Sequence, residues 1–294
     1  MIRYTFDVGG LGIKFIKFED NKEIANDKFE YSKRVDAFRV DLLDVLEIIK
    51  NTYQNETNDF EVGISIPGYV DTKNYRVLSE SAITNINQDI FKIINHKNMK
   101  KLIIENDGKA ATLGEYNFGL ENKPETYIHM TIGSGLGGGI IINDKLIKGS
   151  QLKAAEFSKL FVNLNSNEIT IAAQVAGLGA NIVKYSRSKK LDKLISGIEF
   201  MNLVDSGDEI ATRLFDEWTT TLAKLIINID YVLDFDLLTL GGGISENKDF
   251  YKALVTKINQ YENKLENPEV AKRIKISSLK NKAGCYGCLS ILNK

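Results

Sequence analysis

The sequence predicts an α/β protein of two lobes with related topology. Three observations carry that expectation. Short apolar strand patterns alternate with helical ones, and glycine-rich turns close three of the strands. The order hairpin, helix, strand, helix, strand is then followed by a similar succession of hairpin, helices and strand. A chain of 294 residues is long enough to bury a substantial core in each lobe.

Ile2 to Val8 alternates as a strand until Gly9, Gly10 and Gly12 break the pattern, and Ile13 to Phe18 resumes it before the turn Glu19-Asp20-Asn21-Lys22. The chain thus opens with a hairpin whose loop is placed to meet a phosphate. Val40, Leu43, Val45, Leu46, Ile48 and Ile49 mark a helix. Phe60 to Ile66 reads as a strand stopped by Pro67-Gly68, Ile90 to Ile94 as helical, and Lys101 to Glu105 as a short strand. A helical pattern from Gly108 to Tyr116 puts Asp107 at a strand-to-helix transition, where α/β proteins place ligands. Tyr127 to Ile132 and Gly139 to Ile142 flank a second glycine loop. From Ile169 the pattern is mainly helical, with a long apolar face on Ala211, Leu214, Phe215, Trp218, Leu222, Leu225, Ile226 and Ile229. Leu237 to Leu240 feeds Gly241-Gly242-Gly243, with Ser245 expected to cap a helix. Ile274 to Ser277 reads as a last strand before a C-terminal helix. The expected lobes are 1–116 with the helix at about 281–294, and 117–280. A cleft between them would collect the glycine loops.

The charge balance, 38 basic against 39 acidic residues, lacks the basic surplus of a nucleic-acid binder. There is no secretory pattern and no apolar stretch approaching the roughly 18 residues that span a membrane, so a cytoplasmic protein is expected. Cys285 and Cys288 have redox-type spacing, but their small, apolar, helical-looking surroundings read as buried packing. No other cysteine completes a zinc site, and His96 and His129 stand isolated.

The chemistry concentrates in acidic residues beside glycines. Asp7, followed by Val8-Gly9-Gly10, can hold hydrated Mg2+ or orient a phosphate. Asp107 can take the proton of an alcohol held in line for attack, and Asn106 can bind a neighbouring hydroxyl. Gly133-Ser134-Gly135-Leu136-Gly137-Gly138-Gly139 lacks the Lys-Ser/Thr ending of a P-loop and the following helix of a dinucleotide fingerprint. Its N–H groups, with Thr131 and Ser134, are candidates for ATP phosphates, and Gly242 and Gly243 for the adenosine side. Glu156, in the segment Gly149 to Phe157, can accept from sugar hydroxyls, and Lys159 can reach the same substrate.

These segments resemble the ROK family (repressor, open reading frame, kinase). Asp7-Val8-Gly9-Gly10-Leu11-Gly12-Ile13-Lys14 resembles its first phosphate motif, with leucine where threonine is usual. Ile64 to Asp71, Glu105 to Ala111, Thr131 to Ile140 and Leu240 to Ser245 resemble further motifs in family order. The resemblance implies a two-lobed actin-like ATPase fold (ribonuclease-H-like, hexokinase-like) with an interdomain cleft, Mg-ATP as cosubstrate and a homodimer. It implies Asp107 as general base and Asp7 as the Mg2+ and phosphate residue. Gly9, Gly10, Lys14, Thr131, Gly133, Ser134, Gly135, Gly138, Gly242 and Gly243 would bind ATP. Gly68, Asn106, Glu156 and Lys159 would bind sugar.

The usual histidine after the glutamate is Lys159 here, and no cysteine or histidine lies between Phe161 and Ala173. A further sugar-binding glutamate usual in the family aligns near Ala172. The pattern therefore resembles a zinc-free branch containing glucose, β-glucoside and N-acetylmannosamine kinases. The implied activity is ATP-dependent phosphorylation of a hexose or hexose derivative at the C6 hydroxyl. The alternatives are an N-acetylmannosamine kinase, or a catalytically weakened sugar-binding or sensing protein. Asp7 begins the first motif almost at once, so a repressor with a DNA-binding domain before it is not the expectation.

Overall fold

A computed structural model describes residues 1–163, 169–265 and 269–294. They group into two compact units: 1–123, 138–154 and 281–294 form one, and 124–137 with 155–280 form the other. The stretch after Phe161 that was read for a zinc motif lies partly outside the described residues.

In the first unit, β1 (Ile2–Gly9) and β2 (Gly12–Glu19) make the expected antiparallel hairpin. A third strand, β3 (Lys22–Glu30), pairs with β2 where the sequence suggested only the turn. Its side chains are mostly exposed at the sheet edge, so no apolar alternation announces it. The chain passes through β4 (Val40–Asp41) and α1 (Leu42–Tyr53) to β5 (Phe60–Ile66), which runs parallel to β1. Short strands β6 (Val70–Asp71), β7 (Arg76–Val77) and β8 (Ile83–Thr84) and the single turn α2 (Ile90–Ile94) follow. Then β9 (Met99–Asn106) pairs parallel to β5 and runs straight into α3 (Asp107–Gly114). The sheet order is β3-β2-β1-β5-β9.

Helix α1 forms because Leu42, Val45, Leu46, Ile49 and Tyr53 share one buried face. Asp41 caps it by accepting from the Leu43 N–H at 2.8 Å. That face packs with Tyr4, Phe6, Val8 and Phe15 into one core. The alternate residues Ile16 and Phe18 point to the opposite face.

The remaining elements repeat the pattern. They are β10 (Thr126–Ile132), β11 (Leu136–Ile142), β12 (Lys145–Leu146), α4 (Leu178–Ser188), α5 (Gly197–Asp205), α6 (Glu209–Leu233), β13 (Leu237–Gly241), α7 (Lys248–Leu265) and β14 (Ile274–Ile276). The second sheet runs β12-β11-β10-β13-β14, with β11/β12 antiparallel and β10/β13 and β13/β14 parallel. The expected apolar face of α6 is buried, led by Trp218, except that Phe215 is only partly covered. Ser245 does not cap α7. Its hydroxyl donates back to the Gly242 carbonyl at 2.7 Å, and Asn247 accepts from the Phe250 N–H instead. No helix among the described residues is long and apolar enough to cross a membrane.

Helix α8 (Ala283–Leu292) belongs to the first unit, where Cys285 and Leu289 cover Ile16 and Phe18. It meets α3 backbone to backbone. A Cβ on Gly287 would overlap the Ala110 carbonyl and reach Ala110 Cα at 2.9 Å, and one on Gly114 would lie 2.7 Å from the Gly287 nitrogen. Both cysteines are fully buried, and burial pushes their thiols up, away from reactive thiolate. The packing reading of the pair is the one its environment supports.

At the far end of the sheet, Glu56 accepts from Tyr4 Oη at 2.7 Å, from Lys17 Nζ at 3.1 Å and from the Thr57 and Asn58 amides. These donors, Tyr4 first, hold its carboxyl down at about 2. A folded pKa below the unfolded one contributes stability above the unfolded value and loses it as pH falls through the folded value. Glu56→Gln is expected to lose about 1 kcal/mol at neutral pH after allowing for solvent screening. The gap from the parent chain should close between about pH 5 and about pH 2. Urea midpoints across that range measure it.

Candidate active site

Asp7 sits where three elements of the first unit meet. Strand register sets it opposite Lys14 on β2 and Ser65 on β5. Lys14 Nζ lies 3.0 Å from Oδ2, and Ser65 Oγ donates to Oδ1 at 2.8 Å. The carboxylate also rests against the first turn of α8, since a Cβ on Gly284 would come within 2.5 Å of Asp7 Cγ. A helix N-terminus is a favourable place for negative charge. The attraction of Asp7 raises the pKa of Lys14, so its ammonium keeps its proton. Lys14 is 41% exposed and Asp7 only 16%, which leaves the cation the more accessible partner.

The turn beyond Asp7 is held from outside. Tyr31 Oη donates to the Gly9 carbonyl at 2.8 Å, and Arg34 Nη2 to the Leu11 carbonyl at 3.1 Å. Gly10 has no room for a side chain, because a Cβ would lie 2.5 Å from the Phe38 carbonyl oxygen.

Asn106 and Asp107 occupy the junction of β9 and α3. Asn106 is the N-cap, accepting from the Lys109 N–H at 3.0 Å. Its Nδ2 donates both to the Gly68 carbonyl and to Asp107 Oδ1, each at 3.0 Å. Asp107 Oδ1 also accepts from the Gly108 N–H at 2.8 Å. Cap and carboxylate therefore orient one another, and Gly68 is tied to the cap. Gly68 itself has φ +109°, and a Cβ there would lie 2.7 Å from the Ser79 carbonyl oxygen.

Beneath them lies a pair whose geometry the sequence does not disclose. Glu105 is buried, accepts from the Asn106 N–H at 3.0 Å and pairs with Lys148 Nζ at 2.5 Å. Lys148 leads into the segment that carries Gly149, Leu152 and Ala155, all with left-handed φ, just before Glu156. Leu152 and Ala155 hold that conformation at about 1 kcal/mol each.

In the second unit, Thr131 ends with its hydroxyl buried and without a hydrogen-bond partner. Gly133 and Gly135 have open space where a Cβ would stand, as does Gly243. The N-terminus of α4 holds this loop: the Leu178 and Gly179 N–H groups donate to the Gly133 and Ser134 carbonyls, each at 3.1 Å. Trp218 Nε1 anchors that start by donating to the Ala176 carbonyl at 2.8 Å. Ser134 is exposed on the same loop. Gly242 has φ +86°, and a Cβ there would lie 2.7 Å from the Ile132 carbonyl carbon. Gly241 leaves space for the buried His129 ring, whose Nδ1 is 2.8 Å from Thr239 Oγ1. Glu156 and Lys159 sit at the two ends of one 3-10 turn, with the Lys159 N–H donating to the Glu156 carbonyl. Side chains three apart on such a turn share a side.

Gly138, at the far end of the loop, lies in the first unit. A Cβ on Gly108 would reach the Gly138 carbonyl oxygen at 2.7 Å, and one on Gly139 would reach Thr112 Cβ at 2.9 Å. These glycines let β11 lie against α3.

The ROK family model matches residues 3–294. The chain belongs to the ROK family. It is 26% identical over 264 residues to a beta-glucoside kinase of Listeria innocua, covering 85% of each chain. It is 26% identical over 285 residues to an N-acetyl-D-glucosamine kinase of Histophilus somni, covering 88% of this chain and 89% of that one. A ROK family glucokinase from Streptomyces griseus, solved with glucose and AMPPNP, superposes with a TM-score of 0.79 at 23% identity and 99% coverage of both chains. The two-domain actin-like ATPase fold follows from that superposition.

This ROK chain offers features that fit a nucleotide. They are the orphaned Thr131 hydroxyl, the unobstructed backbone at Gly133, Gly135 and Gly243, and the Lys14 ammonium. Among the described residues no group of three or more His, Cys, Asp or Glu side chains could hold a metal ion. Magnesium that travels with phosphates needs only one or two protein carboxylates, and Asp7 meets that smaller demand. The sequence reading gave no role to Ser65, Tyr31, Arg34, Lys148, Gly177 or Gly179. Only Gly177-Leu178-Gly179 carried a signal, two glycines at a helix start.

Proposed function

We propose that this chain transfers the terminal phosphoryl group of ATP to the C6 hydroxyl of a hexose or hexose derivative. The observation that carries this reading is the Asp107 carboxylate, oriented at the head of α3 by Asn106 and Gly108, in the unit that also presents Asp7 and Lys14. ATP supplies the phosphoryl group; Asp7 would hold Mg2+, which would supply neutralisation of phosphate charge. Asp107 accepts the O6 proton as the O6–phosphorus bond forms and the bond to the departing ADP oxygen breaks with its electron pair. Asn106 holds Asp107 in place, and Gly68, Glu156 and Lys159 hold the sugar. Lys14, Gly9 and Gly10 serve the phosphate end. Thr131, Gly133, Ser134, Gly135, Gly138, Gly242 and Gly243 serve the rest of the nucleotide.

The named relatives support the class of substrate. The N-acetyl-D-glucosamine kinase relative favours a second reading, an N-acetylated hexose such as N-acetylmannosamine or N-acetylglucosamine. A methyl group gives only about 1–3 kcal/mol of discrimination, so hydrogen bonds around C2 must decide. The test is coupled ADP release with Mg-ATP across glucose, β-glucosides, N-acetylmannosamine, N-acetylglucosamine, mannose and fructose. Turnover on one of them is expected. Folded protein that binds ATP but turns over none of these sugars would remove the hexose-kinase assignment and favour a sensing role.

A further inference from the structure

One cation hydrogen-bonded to the tip of the Gly9–Gly12 turn belongs to neither strand of the hairpin. Arg34 lies in the connection between β3 and β4, and its guanidinium rests on that turn. Nη2 donates to the Leu11 carbonyl at 3.1 Å and Nη1 to the Ala37 carbonyl at 3.5 Å. Arg34 has no carboxylate partner among the described residues. The nearby Asp36 carboxylate is taken by the Arg39 guanidinium at 2.6 Å and by the Phe38 and Arg39 amides. Leu11, at the turn's apex, is 49% exposed and brings no hydroxyl. The turn therefore carries an exposed, uncompensated guanidinium anchored by two neutral acceptors, with three of its five N–H donors still to be used.

Resting on the kinase reading above, we propose that Arg34 binds the terminal phosphate of the nucleotide. Its fork suits phosphate oxygens, and its carbonyl anchors fix its direction in advance. It neither gives nor takes a proton. Lys14, on β2 beyond the turn, is already paired with Asp7. Arg34, among the described residues, has no carboxylate to leave.

Titration calorimetry with Mg-AMPPNP and with Mg-ADP separates this role from a structural one. Arg34→Ala should weaken AMPPNP about tenfold or more and leave ADP within about twofold, because only AMPPNP carries the third phosphate. Arg34→Lys should fall between. Tyr31→Phe, which removes the other outside anchor of the turn at Gly9, should leave the AMPPNP to ADP ratio unchanged. Equal losses for both nucleotides in Arg34→Ala, or the same ratio change in Tyr31→Phe, would make Arg34 a clasp on the turn and overturn the inference. No loss for either nucleotide in Arg34→Ala would overturn it too, while leaving the kinase reading intact. A parent chain that bound neither nucleotide would overturn both.

Discussion

Asp107→Asn is expected to lower sugar-dependent ADP release by about three orders of magnitude while leaving the fold and the sugar KM close to those of the parent. Asparagine is nearly isosteric, and its amide oxygen can still accept from the Gly108 N–H and Asn106 Nδ2. The head of α3 therefore keeps its cap. What disappears is the group that receives the hydroxyl proton. Steady-state kinetics with the best sugar, alongside thermal unfolding, reads both sides of the prediction. A raised KM with kcat intact would make Asp107 a binding residue and sink its assignment as the base.

Gly287→Ala is the substitution expected to damage the fold most. The added methyl would land on the Ala110 carbonyl, a backbone group inside a helix that cannot swing aside. Overpacking at a side chain typically costs about 1–3 kcal/mol, and meeting backbone should exceed that range. Either α3 and α8 move apart or the variant does not fold. In the first case activity falls as well, because α3 carries Asp107 and the first turn of α8 backs Asp7. Chemical denaturation compared with Ala110→Gly, which leaves that carbonyl in place, tells a lost contact from an added clash. A Gly287→Ala chain as stable as its parent would show that the two helices have slack.

Much of this was legible in the sequence where a single strand or turn decides the matter. Phe60–Ile66 reads as a strand because it is apolar throughout and ends at Pro67-Gly68. Asp7 and Asp107 stand out because each follows an apolar strand and precedes glycine. What stayed hidden depends on residues far apart in the chain. Lys148 meets Glu105 only after the fold brings β12 near β9, and Arg34 reaches Leu11 across β2 and β3. Nor does a run of glycines say which side of each one is crowded. Gly133 and Gly135 stand open, whereas Gly138 and Gly139 are pressed against α3. β3 failed the alternation test because an edge strand under solvent need not be apolar.

The discontinuity of the first unit bears on how the protein is made. Residues 1–123 leave the ribosome well before 281–294, and at roughly 5–20 residues per second the wait is on the order of ten seconds or more. Until α8 arrives, Ile16, Phe18 and the glycine-lined face of α3 have no cover. The half of the molecule that bears Asp7 and Asp107 can therefore complete its packing only once residues 281–294 have emerged. For that interval the nascent chain exposes the kind of apolar surface that chaperones bind, and a chain halted after residue 280 would keep exposing it.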